Sequence, residues 1–244
     1  MDEYKILAEN YEALNPKEEI FTQKDFFKKI IHKYSIKSCL DCACGSGWHL
    51  FMLNEMGVLC SGSDASDEML AMGKENLKDT AITLKKEDFR NLANSWTETF
   101  DMVICMTTAF NHMLEDNHAV QALNSMYSRL NKNGILVIDS GISDGLINEK
   151  PKLIPARIHE DQAFYFFLEY PDENEIIFNI LNVIKTEDSF NHFFDTMRLN
   201  ALSQAKLGRY FNRTKFKTVH YYGSLDFTGY DRGKSSRLIA LAEK

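Results

Sequence analysis

The chain of 244 residues is short of several things, and each shortage closes off a class of protein. It has five cysteines (39, 42, 44, 60 and 105), an odd number and all in the first half. Such a set does not make the paired framework of a disulfide-stapled domain, and reduced thiols of a cytoplasmic protein are expected. Basic residues are scarce: 28 Lys and Arg against 35 Asp and Glu leave a formal net charge of −7. A surface that tracks nucleic-acid phosphates shows a basic stripe, so no nucleic-acid partner is expected. The one basic patch, GRYFNRTKFK (208–217), also reads as the amphipathic end of a helix. No window approaches about 18 consecutive apolar residues, so no membrane-spanning helix is expected. The opening MDEYKILAENYEALN is charged and lacks the apolar run of a signal peptide. Repeats, linkers and low-complexity segments are missing too.

What is present is ample core material, 44% hydrophobic residues, enough for one domain over residues 1–244. The first half alternates short apolar runs with amphipathic stretches, the pattern of βαβ units and a parallel sheet. Strands are expected at SCLDCA (38–43), VLCSGSD (58–64), ITLKKED (82–88), FDMVICM (100–106) and GILVIDS (134–140). Helices are expected at about 18–34, at WHLFMLNEM before Gly57, at SDEMLAMGKENLK with Ser66 as N-cap, and at EDNHAVQALNSMYSRLNK. In the last, Val120, Leu123, Tyr127 and Leu130 recur at helical spacing. After Gly141 the texture changes. ARIHEDQAFYFFLEY, EIIFNILNVIKTE and SFNHFFDTMRLN are aromatic and β-branched, broken by PDEN (171–174) and TEDS (186–189), which read as hairpin turns. A helix at about 200–212 and two strands, FKTVHYYGS and RLIALAE, close the chain. The organisation is one α/β domain with a β-rich excursion at about 143–199.

The most informative stretch is LDCACGSGWH (40–49), where a strand ends and a helix begins. Glycines there let backbone approach a ligand, and the helix start adds unpaired N–H groups. A dinucleotide fingerprint wants a third glycine where Leu50 stands. Asp41 would repel a pyrophosphate but suits a cationic amine. Asp64, ending the second strand about 20 residues on, can accept both hydroxyls of a ribose. Asp88, ending the third, can meet an adenine amino group, with Phe89 beside the ring. Acids at three strand ends describe a ligand with a positive centre, a ribose and a purine, and no phosphate.

These motifs, in this order, resemble the class I S-adenosylmethionine-dependent methyltransferases. LDCACGSG matches the family's glycine loop, SGSDASDEML its ribose acid, KKEDFRNL its adenine-side acid, and FDMVICMTTAFNHM its fourth motif; LNKNGILVID supplies the next strand. The match covers roughly residues 35 to 140, with Ala43 where glycine is commoner. The resemblance implies a Rossmann-like seven-stranded fold, mostly parallel with an antiparallel last strand. An antiparallel β-rich insertion would follow the fifth strand, and residues 1–34 would form a helical lid. It implies S-adenosyl-L-methionine as cofactor. Asp41 and the backbone of Ala43, Cys44, Gly45 and Gly47 would face its methionine part. Asp64 would hold ribose, Ala65 and Met69 would line the adenine pocket, and Asp88 and Phe89 would recognise adenine. Met106, Thr107 and Phe110 would lie beside the sulfonium and the nucleophile. Tyr4 and Tyr11 would cap the methionine end.

Plainer readings stand beside these. Cys42 and Cys44 have poor zinc spacing and read as small buried hydrophobes, so no metal is expected. His49 reads as packing, and Met69, Met72 and Met106 as core filling. The acceptor is expected to be a small molecule. No Asn/Asp-Pro-Pro-aromatic follows the fourth strand, no proline precedes a cysteine, and no Asp-Asp-Asn metal cluster assembles. The layout is most similar to the glycine/sarcosine N-methyltransferase branch, through Ala109-Phe110-Asn111-His112 and the β-rich insertion. Thr107-Thr108-Ala109 departs from that branch's Gly-Asn-Ser. Arg157 or Arg198 is the natural partner of an acceptor carboxylate. Tyr165, Tyr222 or Tyr230 would orient the amine, with Thr107 and His112 also in the acceptor half. Alternatives are O-methylation with His112 or His159 as base, a non-catalytic cofactor-binding module, and a nicotinamide oxidoreductase. A homo-oligomer is possible.

Overall fold

A computed structural model describes the backbone from Lys5 onwards and side chains from Asn10 onwards; Tyr4 lies outside the described residues. Seven strands form one sheet: β1 (Ser38–Asp41), β2 (Leu59–Asp64), β3 (Thr83–Lys86), β4 (Phe100–Cys105), β5 (Leu130–Asp139), β10 (Thr218–Tyr222) and β11 (Ile239–Glu243). Their order is β10-β11-β5-β4-β1-β2-β3. β1 to β5 run parallel, and β11 is antiparallel to both β5 and β10. The carboxyl ends of β1 to β5 therefore share one edge, and the order reverses between β1 and β4. That is where an open α/β sheet leaves a crevice for a ligand.

The sequence explains why both faces are covered. Along β4, Met102 and Ile104 point to one layer and Val103 and Cys105 to the other, all buried. Strands buried on both faces read as continuous apolar runs, as these do. One layer holds α3 (Lys24–Tyr34), α4 (Trp48–Glu55) and α5 (Asp67–Asn76), contributing Phe26, Phe27, Leu50 and Leu70. The other holds α6 (Asp116–Ser128) and α8 (Gln204–Phe211), contributing Leu123, Met126, Leu207 and Phe211. Ser66 caps α5 by accepting the Met69 N–H at 3.3 Å, an interaction worth about 1 kcal/mol.

Three elements differ from expectation. The helix expected over 18–34 is two, α2 (Lys17–Phe21) and α3. The Thr22 hydroxyl donates to the Glu19 carbonyl at 2.6 Å and so competes with the backbone ladder at the break. ARIHEDQAFYFFLEY folds as a hairpin, β6 (Leu153–Ile158) and β7 (Gln162–Glu169), closed by the His159 N–H on the Gln162 carbonyl at 2.7 Å. A short helix, α7 (Asp144–Glu149), precedes it, capped by Ser143. With β8 (Glu175–Lys185) and β9 (Phe190–Asn200) the hairpin makes an antiparallel sheet, order β6-β7-β8-β9. PDEN and TEDS are its turns. Alternation along β7 buries Phe164, Phe166 and Leu168 and leaves Tyr165 and Phe167 exposed. Among the described residues no helix is long and apolar enough to cross a membrane.

Candidate active site

The glycine loop is held by a strand-end acid on each side. Asp41 is buried, and its Oδ1 accepts the Ala43 N–H at 3.2 Å. Its Oδ2 has no hydrogen-bond partner among the described residues. Burial, with a smaller push from Asp64, raises its pKa to about 7 against the pull of the Ala43 N–H. A buried carboxylate with one oxygen unsatisfied is costly unless a cation meets it. Asp64 accepts the Gly45 N–H on Oδ2 and the Ser66 N–H on Oδ1, each at 2.9 Å. The Cys44 N–H reaches the Ser63 carbonyl at 2.9 Å, so β2 grips the loop at two successive residues.

A helix, α1 (Lys5–Leu14), covers this loop. Gly45 has φ of 50°, and a Cβ there would stand 3.4 Å from the Tyr11 hydroxyl, so the Tyr11 ring lies on the loop. Burial and the nearby Asp64 and Asp41 push the Tyr11 phenol well above its ordinary pKa, which keeps it a hydroxyl. Glu12 ties α1 to the layer beneath, accepting from Trp48 Nε1 at 2.9 Å and Asn76 Nδ2 at 2.6 Å. The insertion sheet ties its far end: Arg157 Nη1 donates to the Leu14 carbonyl at 2.5 Å and to Glu19 at 2.9 Å. His159 Nε2 stands 3.1 Å from the Ala13 carbonyl.

On the β3 side, Asp88 caps the 3-10 turn Phe89–Asn94 and is gripped by Arg90, with Nε 2.9 Å and Nη2 2.5 Å from Oδ2. Desolvation opposes this, but Arg90 prevails and holds the Asp88 carboxyl below its ordinary range. The ring of Phe89, partly buried, stacks at 6.4 Å on Phe110, which is fully buried. Ala65 is exposed beside Asp64, and Met69 is buried behind it.

Past β4 the backbone is strained. Thr107 and Thr108 have φ of 56° and 67°, a left-handed conformation that β-branched residues avoid. Each costs about 1–3 kcal/mol and persists only where its surroundings dictate it. Here the Thr108 N–H donates to the Asp139 carbonyl at 3.0 Å, and the Asn111 N–H to the Thr108 carbonyl at 2.9 Å. Gly141, φ 66°, lies so close that a Cβ would stand 2.5 Å from Thr108 Oγ1; only glycine fits. Asn111 is buried, accepts from Ser140 Oγ at 3.0 Å and donates to the Asn200 carbonyl at 3.0 Å. Met106 is buried and Thr107 exposed at the same edge.

The structure thus brings Asp41, Ala43, Cys44, Gly45, Gly47, Asp64, Met106, Thr107 and Tyr11 to the edge around the β1–β4 switch point, and Asp88, Phe89 and Phe110 beside it. The other residues expected in the acceptor half have partners of their own. Arg157 is engaged with the end of α1, and Arg198 is paired with Glu175 on β8, with Nη2 2.7 Å from Oε2. Tyr222 packs edge-on against Phe227 at 5.1 Å, in the layer of α3. The Tyr230 hydroxyl donates to Asp144 at 2.7 Å. His49 is buried behind the loop, 3.3 Å from Gln23, and burial lowers its pKa to about 4. His112 ends the 3-10 turn Ala109–His112. All five cysteines are free thiols and buried. Sequence reasoning missed Glu12, Asp139 and Arg237. The last two form an ion pair, Arg237 Nη2 to Asp139 Oδ2 at 2.5 Å, with Asp139 buried. An aspartate ending a strand next to Ser-Gly was the available signal. Among the described residues no cluster of His, Cys, Asp and Glu suits a metal ion.

Residues 39–134 match the family model described as a methyltransferase domain. The glycine/sarcosine N-methyltransferase of Aphanothece halophytica is 32% identical over 130 residues, 52% of this chain and 49% of that protein. That of Halorhodospira halochloris is 31% identical over 129 residues, 52% of this chain and 48% of that one. The chain spans about half the length of the curated relatives it matches. In fold, an S-adenosylmethionine-dependent methyltransferase from Clostridium acetobutylicum superposes with a TM-score of 0.84 at 15% identity, covering 98% of both chains. An amino pentose methyltransferase from Micromonospora echinaspora gives 0.77 at 18% identity, over 96% of this chain and 95% of that one. Sheet order, the acids at its carboxyl edge and the matched domain agree: residues 39–134 are similar to a methyltransferase domain, on a fold shared with solved S-adenosylmethionine-dependent methyltransferases. The unsatisfied Asp41 oxygen beneath a side-chain-poor loop fits the cationic end of S-adenosyl-L-methionine.

Proposed function

We propose that this chain methylates the nitrogen of a small molecule, an amine or amino acid such as glycine or sarcosine. The cofactor, when bound, supplies an activated methyl on a sulfonium. Asp41 is assigned to the cofactor's amino group, Asp64 to its ribose, and Ala65, Met69, Asp88 and Phe89 to its adenine side. The backbone of Ala43, Cys44, Gly45 and Gly47 faces the methionine part, and Tyr11 closes over it. Met106, Thr107 and Phe110 border the place where the acceptor arrives. The chain's remaining work is alignment and exclusion of water, which contribute up to about 7–11 kcal/mol in well-oriented systems. A neutral amine needs no dedicated base once aligned, whereas a hydroxyl does.

The observation that carries this reading is the buried, half-satisfied Asp41 carboxylate at the switch point, roofed by Tyr11. The choice of nitrogen is supported by the relatives that share about half of the chain, which are glycine/sarcosine N-methyltransferases. The test is incubation with methyl-labelled cofactor and a panel of glycine, sarcosine, ethanolamine and catechol, read by mass spectrometry. Label on nitrogen is expected. Label on oxygen alone, abolished by His112→Ala, would establish the O-methyl reading instead; tight cofactor binding with no transfer to any compound would reduce the chain to a binding module.

A further inference from the structure

An ion pair at the carboxyl edge that the cofactor assignment leaves unused is Asp139–Arg237. Alternation sets its direction. Ile135 and Val137 on β5 and Ile239 and Leu241 on β11 pack into the layer of α3 and α4. Asp139, two residues after Val137, therefore points to that same face, and Arg237, just before β11, meets its carboxylate there. Asp41, two residues after Cys39, does so too. The pair stands two strands from Asp41, across β4.

Beyond the sheet, Asp139 is hydrogen-bonded to Arg237 and to the strained loop. Its carbonyl accepts the Thr108 N–H at 3.0 Å. Its Oδ1 accepts the Gly141 N–H at 3.2 Å and Arg237 Nε at 3.2 Å, and its Oδ2 accepts Arg237 Nη2 at 2.5 Å. Gly141 in turn lies against Thr108 Oγ1. Arg237 thus fixes Asp139, and Asp139 fixes from two sides the turn that aims Thr107. Two consecutive β-branched residues in left-handed backbone relax unless such a brace holds them.

We propose that Asp139 and Arg237 are positioning residues: a buried ion pair that holds the strained Thr107–Thr108 turn in the geometry that presents the acceptor. This rests on the reading that the acceptor arrives beside Thr107. The pair hydrogen-bonds to none of the three acids assigned to the cofactor, so its loss acts on transfer and leaves cofactor binding intact.

The test compares Arg237→Gln, the charge-free pair Asp139→Asn/Arg237→Gln, and Arg237→Lys, each with and without Thr108→Gly. The double replacement avoids stranding a buried unpaired carboxylate, the commonest cause of outright unfolding at such a pair. Glycine and sarcosine are the acceptors, and S-adenosylhomocysteine titrated by calorimetry reports the cofactor site. Expected is a fall in kcat of about thirtyfold for the charge-free pair, with the S-adenosylhomocysteine Kd within about threefold. Arg237→Lys recovers most of kcat. In the Thr108→Gly background, where glycine adopts the turn without strain, the same replacement costs less than about fivefold, a coupling that a merely structural role does not produce. Amide exchange at Thr108 rises in Arg237→Gln whatever the acceptor proves to be. Unchanged exchange at Thr108, or a kcat loss equal in both backgrounds, overturns the brace. If the unaltered chain labels neither glycine nor sarcosine, the acceptor reading fails on its own while the exchange experiment still judges the brace.

Discussion

Tyr11 lies on Gly45, close enough that a single added methyl on the glycine would meet the phenol at 3.4 Å. The aromatic ring closes the loop that runs between Asp41 and Asp64, and burial keeps the hydroxyl protonated. Tyr11→Ala is expected to raise the Kd for S-adenosylhomocysteine about tenfold by uncovering that loop, while Tyr11→Phe keeps the ring and changes it little. Calorimetry on the two variants decides. Equal losses would shift the role from the ring to the hydroxyl.

Arg157 illustrates how a residue with the right chemistry can serve another purpose. Its guanidinium holds the Leu14 carbonyl and Glu19, so it ties the end of α1 to β6. Arg157→Ala should therefore speed release of bound cofactor by about threefold to tenfold, since one charge-assisted bond on a half-exposed side chain is lost. The effect should be the same for acceptors with and without a carboxylate. Stopped-flow release measures the first, and KM for glycine against ethanolamine measures the second. A selective rise in the glycine KM would return Arg157 to the acceptor site.

Asp41 and His49 give opposing pH dependences. Asp41 titrates near 3.8 unfolded and about 7 folded. As pH rises from 3.8 the unfolded chain ionises first, so this group lowers stability up to about 7 and has no further effect above it. His49 titrates near 6.5 unfolded and about 4 folded. As pH falls below 6.5 the unfolded chain gains the proton first, so stability drops down to about 4. Without ligand the two slopes offset each other over most of that span. Asp41→Asn should leave stability rising with pH over that range, and His49→Gln should leave it falling. Affinity for S-adenosylhomocysteine, whose amino group needs the carboxylate, should weaken up to about tenfold per pH unit below about 7 and lose that dependence in Asp41→Asn. Parallel urea titrations and calorimetry across pH read both, and parallel curves for the variants and the unaltered chain would refute the assignment.

Local signals carried the sequence reading a long way. Strand ends marked by acids at Asp41, Asp64 and Asp88, a glycine loop between strand and helix, and Ser66 as a cap are all short-range patterns, and the structure places each at the edge they implied. The hairpin inside ARIHEDQAFYFFLEY was hidden because His159-Glu160-Asp161 lacks the glycine or proline that flags a tight turn. The Arg237–Asp139 pair was invisible for another reason. The two are 98 residues apart in sequence, and only the antiparallel docking of β11 beside β5 makes them neighbours. The arginines at 157 and 198 had the chemistry of a carboxylate clamp, but partner choice is decided in three dimensions, where Leu14, Glu19 and Glu175 claim them.

Phe89 and Phe110 stack at 6.4 Å, yet they differ in burial, and that difference predicts different costs on replacement. Phe110 is 1% exposed and belongs to the core of the α6 layer with Leu92, Met113 and Leu123. Its replacement by Ala leaves a cavity in a tightly packed interior and should cost about 3–5 kcal/mol of folding stability. For a chain of this size that corresponds to a fall in Tm of about 6–20 °C. Phe89 is only partly buried, one residue past Asp88, with its ring stacked on Phe110. Phe89→Ala should cost about 1–2 kcal/mol of stability and raise the Kd for S-adenosylhomocysteine roughly tenfold, through loss of a stacking surface. Thermal unfolding ranks the pair one way and calorimetry on the folded fraction ranks it the other. Should Phe89→Ala unfold as early as Phe110→Ala while binding the nucleoside as tightly as the unaltered chain, Phe89 is core alone and the adenine side must be sought elsewhere along the β2–β3 edge.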